Sequence, residues 1–356
     1  MQVGIVGFAK AGKTTLFNLL TGSSRPTAKF GRSGEAHVGT ATVPDRRLEA
    51  LRDHFRPKRF TPASVTYVDV PGVARHGGNE ELDLDALRQA DALLHVVRAF
   101  DDPEIPHPEG SVDPARDVAG FDLELILADH DLVSRRLDRL EREAKRGLSA
   151  ADARQRELLA GRVLPALDEE RPVRELGLEG EEEKLVRGFQ LLSAKPQLVA
   201  VNVDEGRLGG AVPGDFGLEP GPARREIVVS APIEAEIAQL AGAEQAEFLR
   251  DLGLEEPSLD RVIRASYELL GLASFFTVGQ DEVRAWTVPE GTPARRAARA
   301  IHSDLERGFI RAEVVPWDAL LEHQSLAACR DRGVLRLEGR DYRTRDGDVM
   351  HIRSGV

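Results

Sequence analysis

Five short apolar runs divide the first 270 residues of the chain, and the stretches between them carry the spacing of helices. The runs lie at residues 3–6, 65–69, 92–97, 197–201 and 226–230. Buried strands that alternate with helices are typical of an α/β fold with a mostly parallel sheet, whose ligands bind beyond the carboxyl ends of the strands. Polar residues at the ends of three of the runs are therefore expected near a ligand: Asp69, Asn202 and Ser230.

Between residues 122 and 190 the pattern changes to long, highly charged helices. One narrow apolar seam runs between acidic and basic neighbours and is formed by Leu132, Val133, Leu137 and Leu140. This spacing predicts two antiparallel helices that form a coiled-coil arm, with a break near residues 147–149 or 171–172. The charged face of the arm is interpreted as solvated, with a partner surface as the alternative.

From residue 275 onward the chain is rich in strand patterns again. Residues 283–288 alternate, a helical pattern follows at residues 293–307, and the turn signal Asp346-Gly347 precedes a last strand pattern. We therefore predict a compact α+β domain at residues 274–356. The remaining boundaries are a nucleotide-type domain at residues 1–121 and 191–273, and a helical insertion at residues 122–190.

Composition and charge narrow the classes of function. The chain of 356 residues has a formal net charge of −12 and one cysteine, Cys329, so no internal disulfide can form. It shows neither a leader pattern nor an apolar run approaching a membrane span, which predicts a cytoplasmic protein without membrane association. The negative charge argues against nonspecific nucleic-acid coating, and no DNA partner is expected.

The C-terminal segment has its own charge balance. Residues 275–356 hold 13 Arg, no Lys and 13 Asp plus Glu, so this segment is formally neutral while the rest of the chain carries the negative charge. Arginine used without lysine favours bidentate phosphate contacts and stacking. A GC-rich genome gives the same bias, and the sequence leaves the two explanations open.

Residues 7–14 fit the pattern of a phosphate-binding loop, Gly-x-x-x-x-Gly-Lys-Thr, between a strand and a helix. Backbone N–H groups of such a turn converge on phosphate oxygens, and the positive end of the following helix adds to the attraction. Lys13 is expected to reach the β- and γ-phosphates, and Thr14 to place its hydroxyl on Mg²⁺. The residues predicted to contact nucleotide here are Lys10, Ala11, Gly12, Lys13, Thr14 and Thr15.

Three further segments complete the predicted nucleotide site. Asp69-Val70-Pro71-Gly72 follows the second strand, so Asp69 is expected to hold Mg²⁺ and Gly72 to meet the γ-phosphate. Guanine-specific proteins use Asn-Lys-x-Asp, whereas this chain has Asn202-Val203-Asp204-Glu205, which compromises bidentate guanine recognition. The segment expected to close over the base is Ser230-Ala231-Pro232.

On these residues the chain resembles, from beginning to end, the YchF branch of the Obg-like P-loop NTPases. The resemblance is carried by the phosphate loop and by residues 43–48, 202–205, 230–240 and 283–356. It implies a Ras-like nucleotide domain, a coiled-coil insertion and a C-terminal ubiquitin-like TGS domain. It also implies ATP in preference to GTP, hydrolysis stimulated by K⁺ or a ribosome, and association with ribosomal subunits or ribosomal RNA.

The chain departs from the family pattern in its switch segments. Ser33 stands where the family has the first-switch threonine, which makes it a candidate Mg²⁺ ligand, and Val73 stands where Ras-like hydrolases have the glutamine that orients water. Intrinsic hydrolysis is therefore expected to be slow, with Lys13 and His76 as the candidate catalytic residues. The alternatives are a nucleotide-binding regulatory module with little or no hydrolysis and a small-molecule kinase, although no arginine-rich lid segment supports the kinase.

Overall fold

The computed structural model describes residues 1–23, 37–70, 84–221 and 223–355. The strands in chain order are β1 (Gln2–Val6), β2 (His37–Thr42), β3 (Arg59–Thr61), β4 (Ser64–Asp69), β5 (Ala92–Arg98), β6 (Gln197–Asn202), β7 (Arg224–Val229), β8 (Leu272–Val278), β9 (Glu282–Pro289), β10 (Phe309–Pro316), β11 (Arg336–Glu338) and β12 (Asp348–Ser354). The α-helices are α1 (Lys13–Thr21), α2 (Arg46–Phe55), α3 (Leu84–Gln89), α4 (Pro114–Ala144), α5 (Ala150–Leu158), α6 (Leu164–Asp168), α7 (Glu181–Arg187), α8 (Glu205–Leu208), α9 (Ala231–Ile237), α10 (Ala243–Asp251), α11 (Ser258–Leu269), α12 (Ala294–Ile301), α13 (Ser303–Arg307), α14 (Trp317–His323) and α15 (Leu326–Asp331).

The chain divides into two compact units. The first consists of Met1–Ala41 and Thr66–Ser266, and the second of Thr42–Val65 and Tyr267–Val356. The sequence-based boundaries keep residues 42–65 in the nucleotide-type domain, but the structure groups them with the C-terminal unit. The reason is tertiary pairing: β3 has three residues and takes its partner, β9, from more than 200 residues away. Local patterning cannot reveal such a pair.

The first unit is built on a six-stranded sheet in the order β2-β4-β1-β5-β6-β7. The pairs from β4 across to β7 are all parallel. β5 and β6 are buried along their whole length, as expected for central strands with both faces covered. The predicted α/β class with a mostly parallel sheet is confirmed, and the carboxyl ends of β1, β4, β6 and β7 meet at one edge.

The helical arm is a hairpin that returns on itself. α4 ends at Ala144, and the chain returns through α5, a π-helical turn at Leu159–Val163 and α6. Val133, Leu137 and Leu140 of the predicted seam are buried against the returning helix. The predicted break near residues 147–149 is confirmed. The first helix begins earlier than predicted, at Pro114, because Asp113 caps it by accepting a hydrogen bond from the Arg116 backbone N–H.

The second unit contains a six-stranded mixed sheet in the order β11-β10-β12-β8-β9-β3. The pairs β10–β11, β10–β12 and β8–β9 are antiparallel, whereas β12–β8 and β3–β9 are parallel. The amphipathic helix α12 buries Ala294, Ala297 and Ala298 against Phe275 and Met350 of the sheet. α2 packs against β8, β9 and α14, so the segment 42–65 contributes both a helix and an edge strand to this unit.

Candidate functional site

The predicted phosphate loop is a tight turn between β1 and α1. Gly7 and Gly12 both have positive φ, at 137° and 99°. A Cβ atom at Gly7 would lie 2.3 Å from the Val96 carbonyl oxygen, and one at Gly12 would lie 2.4 Å from Asn202 Nδ2. Glycine is therefore required at both positions by conformation and by space. The loop lies at the carboxyl end of the central strand β1 and leads directly into the amino end of α1.

Two side chains that follow the loop are held in place. The Lys13 side chain is buried, and its Nζ donates a hydrogen bond to the Phe8 carbonyl oxygen at 2.8 Å. Thr14 Oγ1 donates to Asp69 Oδ2 at 3.0 Å, which joins α1 to the end of β4. A hydroxyl and a carboxylate, both oxygen donors, thus lie side by side next to the phosphate loop, as Mg²⁺ coordination in P-loop proteins requires.

Asn202 connects the phosphate loop to the predicted base-closing segment. Its Nδ2 donates to the Ala11 carbonyl oxygen at 3.1 Å, and its Oδ1 accepts from the Ala231 backbone N–H at 3.1 Å. The side chain is 3% exposed. Asn202 therefore fixes the distance between the turn that is predicted to hold phosphate and the turn that is predicted to hold the base.

The other residues predicted around the base lie in different environments. Val203 is buried in a hydrophobic cluster with Leu208 and Ile233, whereas Glu205, in the first turn of α8, is exposed. Ser230 and Ala231 are buried at the start of α9, and Pro232 is exposed. The Ser230 Oγ has no hydrogen-bond partner among the described residues. The polar groups at this end therefore include Asn202, Asp204, Glu205 and the Ser230–Ala231 turn.

Polar side chains that no sequence pattern indicated lie behind the phosphate loop. Phe8 and Ala11 of the loop lie close to His95, Arg98, His107 and Asp117, around a gap too narrow to hold water. His107 Nε2 lies 2.9 Å from Asp117 Oδ2, and both side chains are buried. These residues come from β5, the β5–α4 loop and α4, so their meeting depends on tertiary structure, and no spacing in the sequence indicates it.

His95 is an uncharged member of this group. Its ring packs on Phe121, with centroids 4.5 Å apart, and burial together with the positive charges of Arg174, Lys13 and Arg224 lowers its pKa to about 3. Burial disfavours the charged imidazolium, so His95 is neutral at physiological pH. His95 thus adds no charge to the group of polar side chains behind the phosphate loop.

Some predicted residues cannot be placed. Ser33, Gly72, Val73 and His76 lie outside the described residues, and the two switch segments remain sequence-based predictions. Thr15 lies half-buried in the first turn of α1, and Lys10 is exposed at the tip of the loop with φ 64°. Among the described helices, none is both long and apolar enough to cross a bilayer.

Comparison with known families and structures gives a consistent result. Residues 2–124 match the family model for a 50S ribosome-binding GTPase (MMR_HSR1), and residues 272–355 match the YchF-GTPase_C model (Protein of unknown function, DUF933). The chain is similar to the ribosome-binding ATPase YchF of Bacillus subtilis, with 40% identity over all of both chains. It is 38% identical to that of Escherichia coli O157:H7, over 100% of this chain and 99% of the relative.

A solved structure agrees with these sequence matches. The YchF GTPase of Schizosaccharomyces pombe superposes with a TM-score of 0.86 at 29% identity, covering 99% of this chain and 97% of the other. A GTP-binding protein from Pyrococcus horikoshii shares the fold at 20% identity, with a TM-score of 0.58, 99% of this chain and 100% of that chain being covered. From its phosphate loop to its C-terminal unit, this chain belongs to the YchF family of P-loop nucleotide-binding proteins.

Proposed function

We propose that this protein is a slow, Mg²⁺-dependent ATPase that associates with the ribosome and acts there as a nucleotide switch. The observation that carries the proposal is the convergence of the phosphate loop, the Thr14–Asp69 pair and Asn202 at one edge of the parallel sheet. Relatives that align over the full chain are named ribosome-binding ATPases. These names support the same partner and the same reaction for this chain.

Lys13 is the proposed charge partner of the phosphates. Its Nζ is held by the Phe8 carbonyl oxygen, a main-chain group of the loop itself. A β- or γ-phosphate oxygen is a stronger acceptor than a neutral carbonyl, because the contact becomes a charge-assisted hydrogen bond. Phosphate binding would therefore draw the ammonium from Phe8 into the cradle of loop N–H groups, where it neutralises charge that develops during hydrolysis.

Thr14 and Asp69 are the proposed protein groups at the Mg²⁺ position, with Ser33 as a candidate from the first switch. Their oxygens suit a hard divalent cation, and Asp69 is almost fully buried. The chemistry that Mg²⁺ would supply there is positive charge beside the phosphate oxygens. Thr14 and Asp69 then have the task of orienting these oxygens from α1 and β4. The family resemblance alone implies stimulation by K⁺, so K⁺ is varied in the assay below.

ATP is the proposed nucleotide, although one relative is named an ATPase and another a GTPase. Guanine recognition needs a carboxylate that accepts two N–H groups from the base edge. In this chain Val203 is packed into the core, and the exposed carboxylates after β6 are Asp204 and Glu205. The proposed adenine contacts are therefore main-chain groups near Asn202 and Ser230–Ala231.

The switch segments supply the reason to expect slow turnover. Val73 cannot hydrogen-bond a water molecule as the glutamine of Ras-like hydrolases does. Lys13 and His76 are the proposed catalytic residues, and Gly72 is the proposed γ-phosphate contact. Valine in place of glutamine at position 73 also favours the second candidate function. That function is a cytoplasmic nucleotide-binding regulatory module with little or no hydrolysis.

The test is ATP and GTP turnover by the full-length chain, with and without purified ribosomes, at varied Mg²⁺ and K⁺. We expect slow ATP hydrolysis alone, at or below about 10⁻³ s⁻¹ as in unassisted switches, and faster hydrolysis with ribosomes. The Lys13→Ala variant should be inactive, whereas Lys58→Ala, on the exposed surface of the second unit, should behave as the wild type. ATP binding without turnover even on ribosomes would favour the regulatory module, and tenfold preference for GTP would overturn the nucleotide assignment.

A further inference from the structure

The phosphate loop carries two lysines in different environments. Lys13 is buried and bonded to the Phe8 carbonyl oxygen, whereas Lys10 is exposed at the tip of the loop. Lys13 is the lysine that the loop pattern requires, so Lys10 is an additional cation. Residues 7–13 hold these two cationic side chains and no acidic one. The loop therefore presents an excess of positive charge to a triphosphate.

The backbone at Lys10 belongs to the anion-binding part of the loop. Lys10 has φ 64° and Gly12 has φ 99°, so two residues with left-handed φ stand two positions apart. A turn of this kind directs successive N–H groups toward one point and forms a nest for an anion. A residue with a Cβ atom is uncommon at such a φ. The Lys10 side chain therefore starts at the rim of the phosphate cradle, on its solvent-exposed side.

The same loop is poorly suited to K⁺, the ion that the family resemblance implies as a stimulator. K⁺ is bound in proteins by oxygen atoms such as main-chain carbonyls. No side chain in residues 7–13 has an oxygen atom. Two of the loop carbonyls already accept hydrogen bonds, Phe8 from Lys13 Nζ and Ala11 from Asn202 Nδ2.

Charge acts in the same direction as the shortage of oxygen ligands. An ammonium group at the rim of the cradle repels a second cation that approaches the same phosphates. The ammonium also donates hydrogen bonds to phosphate oxygens, which a K⁺ ion cannot do. The positive charge that K⁺ would bring to this part of the loop is therefore already present in the chain as Lys10.

We propose that the Lys10 ammonium contacts the β- or γ-phosphate of bound ATP and takes the place of K⁺, so that this chain binds and hydrolyses ATP independently of K⁺. The inference rests on the proposed ATPase function and concerns the regulation of the same site. Lys13 remains the buried phosphate contact within the cradle, and Lys10 is the exposed contact at its rim. Because Lys10 is part of the chain, its charge is present in every salt.

The experiment titrates a nonhydrolysable ATP analogue with Mg²⁺ into the full-length chain and measures the affinity by calorimetry. One titration uses a potassium salt, and the other uses a tetramethylammonium salt of the same ionic strength. Equal ionic strength keeps the general screening of charges the same in both buffers. ATP turnover is measured in the same two buffers.

Three variants are compared with the wild type. Lys10→Asn removes the charge, supplies an amide oxygen and tolerates the positive φ. Lys10→Arg keeps the charge. The matched control is Lys145→Asn, which removes an exposed lysine just after the end of α4. Circular dichroism checks the fold of every variant.

We expect the wild type, Lys10→Arg and Lys145→Asn to bind the analogue with affinities that differ by less than about twofold between the two salts. Lys10→Asn should bind roughly tenfold more weakly in the tetramethylammonium salt, because a charge-assisted hydrogen bond to phosphate is lost. The potassium salt should restore much of the affinity and turnover of Lys10→Asn, because its amide oxygen can ligate K⁺ and no ammonium repels the ion.

Three results would overturn the inference. The first is a wild type that binds the analogue or hydrolyses ATP clearly better in the potassium salt. The second is a Lys10→Asn variant that matches the wild type in the tetramethylammonium salt. The third is a loss in Lys10→Asn that K⁺ does not reduce, which would show that Lys10 does not stand at a cation position. A wild type that binds the analogue in neither salt would instead refute the nucleotide proposal, so the two failures are distinguishable.

Discussion

At the scale of single residues, Asn202 has the clearest structural role in the nucleotide site. One side-chain amide satisfies a carbonyl of the phosphate loop and an N–H of the α9 turn, and both groups are buried. The sequence indicated Asn202 correctly as a residue at the end of a strand. It could not show that the side chain bonds to Ala11 and Ala231, because those contacts join segments 191 and 29 residues away.

The Asn202→Ala variant should be destabilised by about 2–6 kcal/mol, since it leaves two buried groups unsatisfied at about 1–3 kcal/mol each. Asn202→Asp should lose less, because its carboxylate can still accept from the Ala231 N–H but cannot donate to the Ala11 carbonyl. Urea unfolding measures the free energy of unfolding of both variants. Equal stability of Asn202→Ala and the wild type would remove the bridge from the explanation of the site.

At the scale of elements, the helical arm depends on a buried ion pair at its base. Arg174 Nη2 donates to Asp122 Oδ2 at 2.5 Å, and Gln197 Nε2 donates to Asp122 Oδ1 at 3.2 Å. The pair links α4, the 3₁₀ turn at Val173–Leu176 and β6. The apolar seam and the break after α4 were readable from spacing. The ion pair was not, because each partner was one of many charged residues in the segment.

The Arg174→Met variant should lose about 3–5 kcal/mol of stability, because the Asp122 carboxylate stays buried without its cation. The double variant Arg174→Met/Asp122→Leu should recover much of this loss, since neither charge then has to be desolvated. Chemical denaturation of the wild type, the single variant and the double variant checks both statements. A double variant less stable than the single one would show that Gln197 and the neighbouring backbone depend on the carboxylate itself.

At the scale of the whole molecule, the division into units does not follow the order of the chain. Residues 42–65 come between the first strand and Asp69, yet α2 and β3 belong to the C-terminal unit. Arg47 illustrates the attachment: its Nη1 lies 2.6 Å from Asp346 Oδ2, and its guanidinium lies 5.5 Å from the Phe276 ring centroid. The α/β class and the C-terminal α+β domain were predictable from local periodicity. The membership of residues 42–65 in the C-terminal unit was not predictable in this way.

The Leu51→Ala variant tests whether residues 42–65 belong to the C-terminal unit, because Leu51 is fully buried on α2. Removing a buried leucine side chain of this kind costs about 2–5 kcal/mol. Hydrogen exchange should become faster in β8 and β9, against which α2 packs, while β6 keeps its protection. Loss of protection in β6 with β8 and β9 unchanged would assign residues 42–65 to the first unit instead.

The most direct measurement is a calorimetric titration of MgATP into the wild-type chain and into Lys13→Ala. The wild type should bind MgATP with defined stoichiometry. Lys13→Ala should lose binding, because the charge-assisted contact between Lys13 and phosphate disappears. Its circular dichroism should stay unchanged, because the fold does not depend on that contact. Unchanged MgATP affinity in a folded Lys13→Ala variant would show that the nucleotide does not occupy the loop between β1 and α1.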